Sequence, residues 1–257
     1  MEHPEKVINY SVQKLAELSN VSEATIVRFS KKMKFKGFQD LKLQIAYDLN
    51  NPKTVKSSYQ DITADVSTAT LIEHVSHNNV KSIQDTLLVL SKSALEESIE
   101  MVAQARKIAV FGIGASAIIA HDLKQKLTRI DCWNEIGTDF DTQATISANL
   151  TQKDVVIGIS NSGQTEDIIK SLTVAKENAA QIISITRYGD NSVSKLADAK
   201  LAVSSPENII RSGAMSSRIA MLNVIDILYT GVARKNYERN IEMLENTRKA
   251  VKLSKSK

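Results

Sequence analysis

The sequence predicts an α/β protein, in which an all-helical N-terminal domain precedes a domain with a five-stranded parallel sheet flanked by helices. Three observations predict this fold class. Residues 11–49 carry short helical patterns with tight turns, the Asn-Asn-Pro-Lys segment at 50–53 interrupts them, and short apolar runs then alternate with helical patterns. Continuously apolar strands are typical of a parallel sheet that is covered on both faces.

Composition limits the class of protein. The 257 residues, 42% hydrophobic and 24% charged, suit one or two globular domains and exclude global disorder. The one cysteine, Cys132, excludes a disulfide framework and a cysteine-based zinc site. Because the sequence has neither an apolar run of about 18 residues nor an apolar signal segment at its start, we expect a cytoplasmic protein without a membrane partner.

Positive charge is concentrated at the two ends of the chain. Residues 1–42 hold eight Lys or Arg and five Asp or Glu, and residues 234–257 hold eight and three. The net charge of +4 therefore combines two basic ends with a mildly acidic middle. Such an asymmetry indicates nucleic acid binding by an end segment and a different role for the middle.

Residues 11–29 have the spacing of a helix-turn-helix. We predict that Ser11 caps the first helix, that Asn20 turns the chain in a left-handed conformation, and that Ser22 caps the second helix. The side chains expected at the contact between the two helices are Ala16, Val21, Ile26 and Phe29. A following helix over 39–49 is expected to cover the motif with its apolar residues Leu41, Ile45 and Leu49.

The outward face of the second predicted helix is polar and basic. In helix-turn-helix proteins the second helix enters the major groove, where its first residues reach base edges while cations neutralise phosphates. The candidate DNA-contacting residues are Ser22, Glu23, Thr25, Arg28, Lys31, Lys32 and Lys36. A plain helical hairpin with a solvated basic face is the alternative, but the joint match of turn, cap and cationic face favours DNA binding.

The remaining sequence divides into a linker, a larger domain and a tail. The predicted boundaries are 1–52 for the DNA-binding domain, 53–67 for the linker, 68–236 for the sheet domain and 237–257 for the basic tail. Two helices are predicted within 68–106, and strands at 108–111, 155–159, 182–185 and 201–203, with a fifth at 130–134. Helices are predicted at 117–128, 165–178, 192–197 and 216–235, and the tail is expected to be helical to about residue 251.

A glycine-rich turn at 112–117 follows the first apolar strand and opens a helix. Glycines let the backbone approach an anion, and the helix start supplies free N–H groups. Gly114 and Ser116 are the candidate ligand contacts. A tight turn without a ligand is one alternative, and a dinucleotide site that uses Asp131 or Glu135 on the ribose is another.

A serine-rich turn at 160–166 also follows a strand and opens a helix. Hydroxyl groups, backbone N–H groups and the positive end of the helix dipole would converge there on a phosphate. The candidate ligand contacts are Ser160, Asn161, Ser162, Gly163, Gln164, Thr165 and Glu166. The turn lacks a Gly-Lys-Ser/Thr sequence, which favours a phosphate monoester over a nucleoside triphosphate. A hydroxyl turn capped by Ser162 or Thr165 is the alternative, and Glu166 is equally expected as an ordinary acid in a first turn.

These motifs together resemble those of the RpiR-type transcriptional regulators, which join a helix-turn-helix to a sugar isomerase (SIS) domain that binds phosphosugars. The motifs are the stretches 15–29 and 36–42, Gly112-Ile-Gly-Ala-Ser116, Ser160-Asn-Ser-Gly-Gln-Thr165 and Arg211-Ser-Gly-Ala-Met-Ser-Ser-Arg218. The resemblance implies a regulator of sugar metabolism that binds operator DNA, senses a sugar-phosphate effector and forms a homodimer or tetramer. It assigns phosphate contacts to Ser116, Ser160, Ser162 and Thr165, and places Arg211, Ser212 and Arg218 near the ligand cleft. An arginine there would either hold a phosphate or carboxylate or pair with an acid at the dimer contact.

One feature of the sequence differs from the family pattern. Family members carry a further helix before the stretch with which this chain starts. We therefore expect the first helix of the DNA-binding domain to be truncated or missing. The apolar side chains expected to lose their partner are Val7, Ile8, Val12 and Leu18.

An aldose–ketose phosphate isomerase is the alternative function, because the same cradle would hold its substrate. Proton transfer between neighbouring carbons needs a well-placed base, for which His121 and Glu166 are the nearest candidates. No clear acid–base pair emerges from the sequence. We therefore predict a protein that is not an enzyme and that uses neither a cofactor nor a metal.

Overall fold

The computed structural model describes residues 4–33, 35–50, 67–204 and 214–253. The chain forms two compact units, Met1–Gln60 and Asp61–Lys257. Most of the predicted linker, and the residues Arg211 and Ser212, lie outside the described ranges.

The first unit is a small helical bundle. Its helices are α1 (Pro4–Val7), α2 (Val12–Leu18), α3 (Glu23–Lys32) and α4 (Phe38–Asn50). The buried side chains that form its core are Val7, Ala16, Ile26, Phe38 and Leu41, against which Val12, Leu15, Phe35 and Ile45 pack. The predicted cover by Leu41 and Ile45 of α4 is thus confirmed, while the side chain of Leu49, the third predicted residue, lies outside what the structure describes.

The predicted caps and turn of the helix-turn-helix are confirmed. The hydroxyl of Ser11 accepts the N–H of Lys14 at 3.0 Å, and the hydroxyl of Ser22 accepts the N–H of Thr25 at 3.2 Å. Asn20 has a φ of 50°, the left-handed conformation that asparagine tolerates. The local sequence therefore determines where α2 and α3 begin and where the turn between them lies.

Two predicted contacts between α2 and α3 are wrong. Val21 is 40% exposed, because the tight turn is held by its backbone N–H, which donates to Ala16 O at 3.0 Å. Phe29 is 46% exposed, because the inward face of α3 consists of Ile26 and Ser30, four residues apart. The small Ser30 is fully buried and donates to Ile26 O at 2.9 Å.

The expected loss of partners at the start of the chain is wrong in part. Val7 is buried and Val12 packs against the same core, while Ile8 is half-buried. Leu18 is 56% exposed, as expected. The four-residue helix α1 contacts α4, which explains why Val7 has a partner.

The second unit is a parallel sheet between two layers of helices, as predicted. Its helices are α5 (Thr68–Val89), α6 (Lys92–Gln104), α7 (Ala115–Arg129), α8 (Phe140–Ala148), α9 (Glu166–Glu177), α10 (Ser192–Leu196), α11 (Met215–Lys235) and α12 (Tyr237–Leu253). Its strands are β1 (Ile108–Gly112), β2 (Asn134–Gly137), β3 (Val155–Ser160), β4 (Gln181–Arg187) and β5 (Ala199–Val203). The five strands are all parallel, in the order β2-β1-β3-β4-β5.

Alternate side chains of the central strands β1, β3 and β4 pack in two separate cores. In β1, Ile108 and Val110 join the core under α6, α7 and α11, while Ala109 and Phe111 join the core under α9 and α10. Burial on both faces explains why the strands are continuously apolar in sequence. Packing in the two cores fixes where the strands end, and therefore where the turns that follow the strands lie.

Two elements differ from the sequence prediction. The strand predicted at 130–134 lies at Asn134–Gly137, because Ile130 ends α7 as a fully buried cap residue and Asp131 follows in a left-handed conformation. Helix α8 was not predicted, because its buried positions are the polar residues Gln143 and Ser147. Within the described residues no helix is long and apolar enough to cross a membrane.

Candidate ligand site and DNA-binding face

The two predicted ligand turns leave neighbouring strands at one edge of the sheet. Strands β1 and β3 are adjacent, and Gly112 of β1 pairs with Ile159 of β3. The strand order reverses between them, since β2 lies on one side and β4 and β5 on the other. In open α/β sheets, ligands bind at the carboxyl ends of the strands at such a reversal.

The first turn requires glycine for steric reasons. A Cβ on Gly112 would lie 2.5 Å from the backbone oxygen of Ser116, so only glycine lets α7 start so close to β1. Gly114 has a φ of 59° and precedes α7 as its N-cap residue. The backbone N–H of Ser116 donates to Ile113 O at 3.2 Å.

The second turn is held by its own hydroxyl groups. Ser160 is almost fully buried, and its Oγ accepts the N–H of Gly163 at 3.1 Å and lies 2.8 Å from Thr165 Oγ1. In such a hydroxyl pair one hydrogen lies between the two oxygens, which leaves the other hydroxyl hydrogen for another acceptor. The Oγ of Ser162 accepts the N–H of Gln164 at 3.2 Å, so a local hydroxyl turn is part of this loop.

The helices that start from these two turns have no side-chain cap. The N-cap residues are Gly114 for α7 and Thr165 for α9, and neither makes a side-chain capping bond. The same holds for Ala214 before α11. By contrast, a Ser, Asp or Asn side chain caps α2, α3, α5, α6, α8 and α10. In α7 the backbone oxygens of Ile113 and Gly114 accept the N–H groups of Ser116 and Ala117 instead. At the start of α9 no side chain supplies the acceptor that a cap would give to the first N–H groups.

The other candidate residues of the second turn have distinct surroundings. The backbone oxygen of Asn161 accepts the N–H of Arg187 at 3.1 Å, whereas its side-chain oxygen is buried with no hydrogen bond to the described residues. Gln164 accepts a hydrogen bond from Ser192 Oγ at 2.7 Å. Glu166 is exposed and pairs with Lys170 at 3.3 Å, a contact one helical turn away on the surface of α9.

Helix α5 joins the start of α11 to the end of β5. Ser82 donates to Ser216 O at 2.7 Å, and one turn later Thr86 Oγ1 accepts the N–H of Ser204 at 3.1 Å. The half-buried Arg218 therefore lies in a first turn near the carboxyl edge of the sheet. Neighbouring strands are about 4.8 Å apart, so β5 lies about 10 Å from β3. Arg218 is thus on the same edge as the two turns, beyond β4.

The two acids named for the dinucleotide alternative do not lie where its ribose would need them. Asp131 pairs with Arg239 at 2.7 Å and Glu135 pairs with Lys107 at 2.9 Å. Both acids lie at the amino end of β2, while the glycine turn lies at the carboxyl end of β1. An acid that binds a ribose held by that turn must lie at the carboxyl end of its strand.

Most of the predicted DNA contacts lie on the exposed surface of the first unit. The exposed side chains of this set are Ser22, Glu23, Arg28, Lys31, Lys32 and Lys36, while Thr25 is half-buried. Ser22 Oγ lies 2.9 Å from Thr25 Oγ1, so the cap also orients a second candidate contact. Among these residues, Arg28, Lys31, Lys32 and Lys36 supply positive charge for phosphates.

Comparison with known proteins decides the family. The family model of the SIS domain matches residues 101–231, and that of the helix-turn-helix domain of the rpiR family matches residues 1–52. An uncharacterized HTH-type transcriptional regulator of Caldanaerobacter subterraneus is 39% identical over 99% of this chain and 90% of its own length. The chain belongs to the RpiR family of transcriptional regulators.

Two further proteins are similar to this RpiR-family regulator over nearly its whole length. The HTH-type transcriptional regulator HexR of Escherichia coli is 31% identical over 98% of this chain and 86% of its own length. The NanR protein of Vibrio vulnificus, solved in complex with ManNAc-6P, has a TM-score of 0.69 and 26% identity. That comparison covers 100% of this chain and 90% of the NanR chain.

Proposed function

We propose that this RpiR-family regulator senses a sugar phosphate at the shared edge of β1 and β3. The observation that carries the proposal is that α7 and α9 both start at this edge without a side-chain cap. A phosphate would supply an acceptor for the first backbone N–H groups of α9, and the positive ends of both helix dipoles would stabilise it. NanR, the similar protein solved with ManNAc-6P, supports a phosphorylated sugar as the class of ligand.

The proposed ligand contacts are those of the two turns and of α11. They are Gly114, Ser116, Ser160, Asn161, Ser162, Gly163, Gln164, Thr165, Glu166 and Arg218. Backbone N–H groups and hydroxyls would bind the phosphate, while Glu166 would accept from sugar hydroxyls and the guanidinium of Arg218 would pair with an anionic group. The buried, unpaired side-chain oxygen of Asn161 would accept a hydrogen bond from the sugar or from an ordered water.

We propose that α3 reads operator DNA. Ser22, Thr25 and Arg28 lie within its first two turns and would reach base edges, while the lysines would bind phosphates. A homodimer would present two such helices to the two halves of an operator. A ligand changes DNA binding only when it binds the DNA-competent and the incompetent conformations with different affinity.

The test combines a ligand screen with operator binding. Thermal melting against a panel of sugar phosphates should give one ligand that raises stability by about 2.7 kcal/mol at one hundred times its dissociation constant. That ligand should then change the concentration of regulator needed to shift the DNA upstream of its own operon in a gel. If no sugar phosphate stabilises the protein, the sensing proposal is wrong; if no DNA shifts under any condition, the operator proposal is wrong.

The isomerase alternative has less support. His121 lies exposed on α7 and Glu166 is paired with Lys170, so neither is part of an acid–base pair. Three solved proteins described as sugar-phosphate isomerases are 17–22% identical to this chain, a likeness that shows the fold alone. Turnover of any sugar phosphate by the purified protein would restore this alternative.

A further inference from the structure

The turn that follows β4 forms hydrogen bonds with the second ligand turn, residues 160–166. The backbone N–H of Val193 donates to Gly163 O at 3.0 Å, and the hydroxyl of Ser192 donates to Gln164 Oε1 at 2.7 Å. A third hydrogen bond, from the backbone N–H of Arg187 at the end of β4 to Asn161 O, joins the same two segments. The conformation of the ligand turn therefore depends on a segment that comes almost thirty residues later in the chain.

Asn191 organises this second segment. It is buried, and its side-chain nitrogen donates to Thr186 Oγ1 at 3.0 Å and to Gly189 O at 3.1 Å. Its side-chain oxygen accepts the N–H of Ser194 at 2.8 Å. Because the amide group is fully engaged within the protein, Asn191 does not itself need a ligand to satisfy its hydrogen bonds.

The side chain of Asn191 also lies against the backbone of the ligand turn. A Cβ placed on Gly163 would overlap Cγ and Oδ1 of Asn191. Gly163 has a φ of 64°, and its N–H is bonded to Ser160. Glycine therefore serves two needs at this position, a left-handed backbone and close approach to a side chain.

We propose that Asn191 is a positioning residue that holds the ligand turn in the shape that binds phosphate. This inference rests on the proposed ligand site, and it assigns a role to a residue outside both turns. Asn191 lies against the Cα of Gly163, so that the backbone at 163–165, which leads into the N-terminus of α9, keeps its conformation before a ligand arrives. A binding group that is held in place before binding loses less conformational freedom when the ligand binds.

The test compares Asn191→Ala and Asn191→Asp with the unaltered full chain. Asn191→Asp keeps the size of the side chain and the oxygen that accepts from Ser194, but it removes the donors to Thr186 and Gly189. Amide hydrogen exchange without ligand should become faster at residues 161–165 in both variants. Calorimetric titration with inorganic phosphate should show a loss of affinity of about tenfold or more, since tenfold corresponds to roughly one lost hydrogen bond of average strength.

Asn178→Ala is the matched control. Asn178 also uses its side-chain nitrogen on a backbone oxygen, that of Ser147 at 3.1 Å, but at the far end of α9. It should lower the melting temperature without changing exchange at 161–165 or phosphate affinity. If both Asn191 variants bind phosphate as the unaltered chain does, the positioning role is wrong while the ligand site stands. If the unaltered chain binds neither phosphate nor any sugar phosphate, the proposed site itself is wrong and the positioning role falls with it.

Discussion

Asp154 shows how a single buried charge holds the edge of the sheet opposite the ligand turns. Its side chain is fully buried and accepts hydrogen bonds from Arg106 Nε at 2.9 Å and Nη2 at 2.7 Å. It also accepts the N–H and the hydroxyl of Thr151, at 2.7 and 2.8 Å. Since Arg106 precedes β1 and Asp154 precedes β3, the pair joins the two strands whose other ends carry the candidate site.

The ionisation of Asp154 should make stability dependent on pH. Burial raises the pKa of this carboxyl, but the hydrogen bonds from Arg106 and Thr151 lower it more, so that the folded pKa lies below its ordinary value of 3.8. Its contribution is therefore complete above the ordinary pKa and is lost as the pH falls through the lowered one. Asp154→Asn should cost about 2 kcal/mol at neutral pH, because it removes the charge of a buried acceptor of several hydrogen bonds, and less at strongly acidic pH.

Urea denaturation of both proteins from neutral to acidic pH measures this difference. Asp131→Asn is the control, because Asp131 also faces an arginine at 2.7 Å but is 70% exposed. It should cost less than about 1 kcal/mol. An equal cost for the two substitutions would show that burial of Asp154 does not matter.

At the scale of elements, local patterns in the sequence predicted most of the fold. The apolar strands β1, β3 and β4 were predictable because both of their faces are buried, and β5 was predictable from the apolar residues Leu201 and Val203 on its buried face. Helix α8 was not, since Gln143 and Ser147 occupy its buried positions and leave no apolar period. Val21 and Phe29 were misplaced because helical spacing tells which residues share a face, not which face meets a neighbour.

Part of the candidate site could likewise be predicted from the sequence, and part of it could not. Both turns were predictable, because glycine and hydroxyl residues between a strand and a helix leave a local signature. Asn191 was missed, because its role depends on contact with Gly163, and the sequence around it is an ordinary turn. The basic tail was predicted to be helical, and it forms α12. This helix packs against the sheet domain, where the buried side chain of Asn240 donates to Ala233 O at 3.0 Å.

The two caps of the helix-turn-helix allow stability and DNA recognition to be separated. Ser11 and Ser22 each accept one N–H at a helix start, so replacing either by alanine should cost about 1 kcal/mol of stability. Only Ser22 belongs to the proposed DNA-reading face. Ser22→Ala should therefore weaken operator binding, whereas Ser11→Ala should leave it nearly unchanged at temperatures where both are folded. Melting curves and gel shifts measure the two effects, and equal losses of operator affinity would contradict the assignment of α3.

At the scale of the whole molecule, α5 carries the strongest indication of self-association. Along its 22 residues the Asp, Glu, Lys and Arg side chains are Glu73, Lys81 and Asp85, and the last two form a buried ion pair at 2.9 Å. Its large apolar side chains Leu71, Ile72, Val80 and Leu87 are 44–63% exposed. A surface helix poor in charge and rich in apolar residues is typical of the core of a protein interface.

We expect a second copy of this chain to cover α5, because paired helix-turn-helix units are what an operator with two half-sites requires. Ile72→Glu combined with Leu87→Glu should shift the protein towards the monomer, since each substitution would bury a charge without a partner. Val251→Glu is the control, because Val251 is 62% exposed on α12, away from α5 in the sequence. Sedimentation velocity over a range of protein concentrations measures the change. The double variant should also bind operator DNA more weakly, because two linked units bind two half-sites far more tightly than one unit binds one. A sedimentation coefficient that the double variant leaves unchanged would contradict self-association through α5.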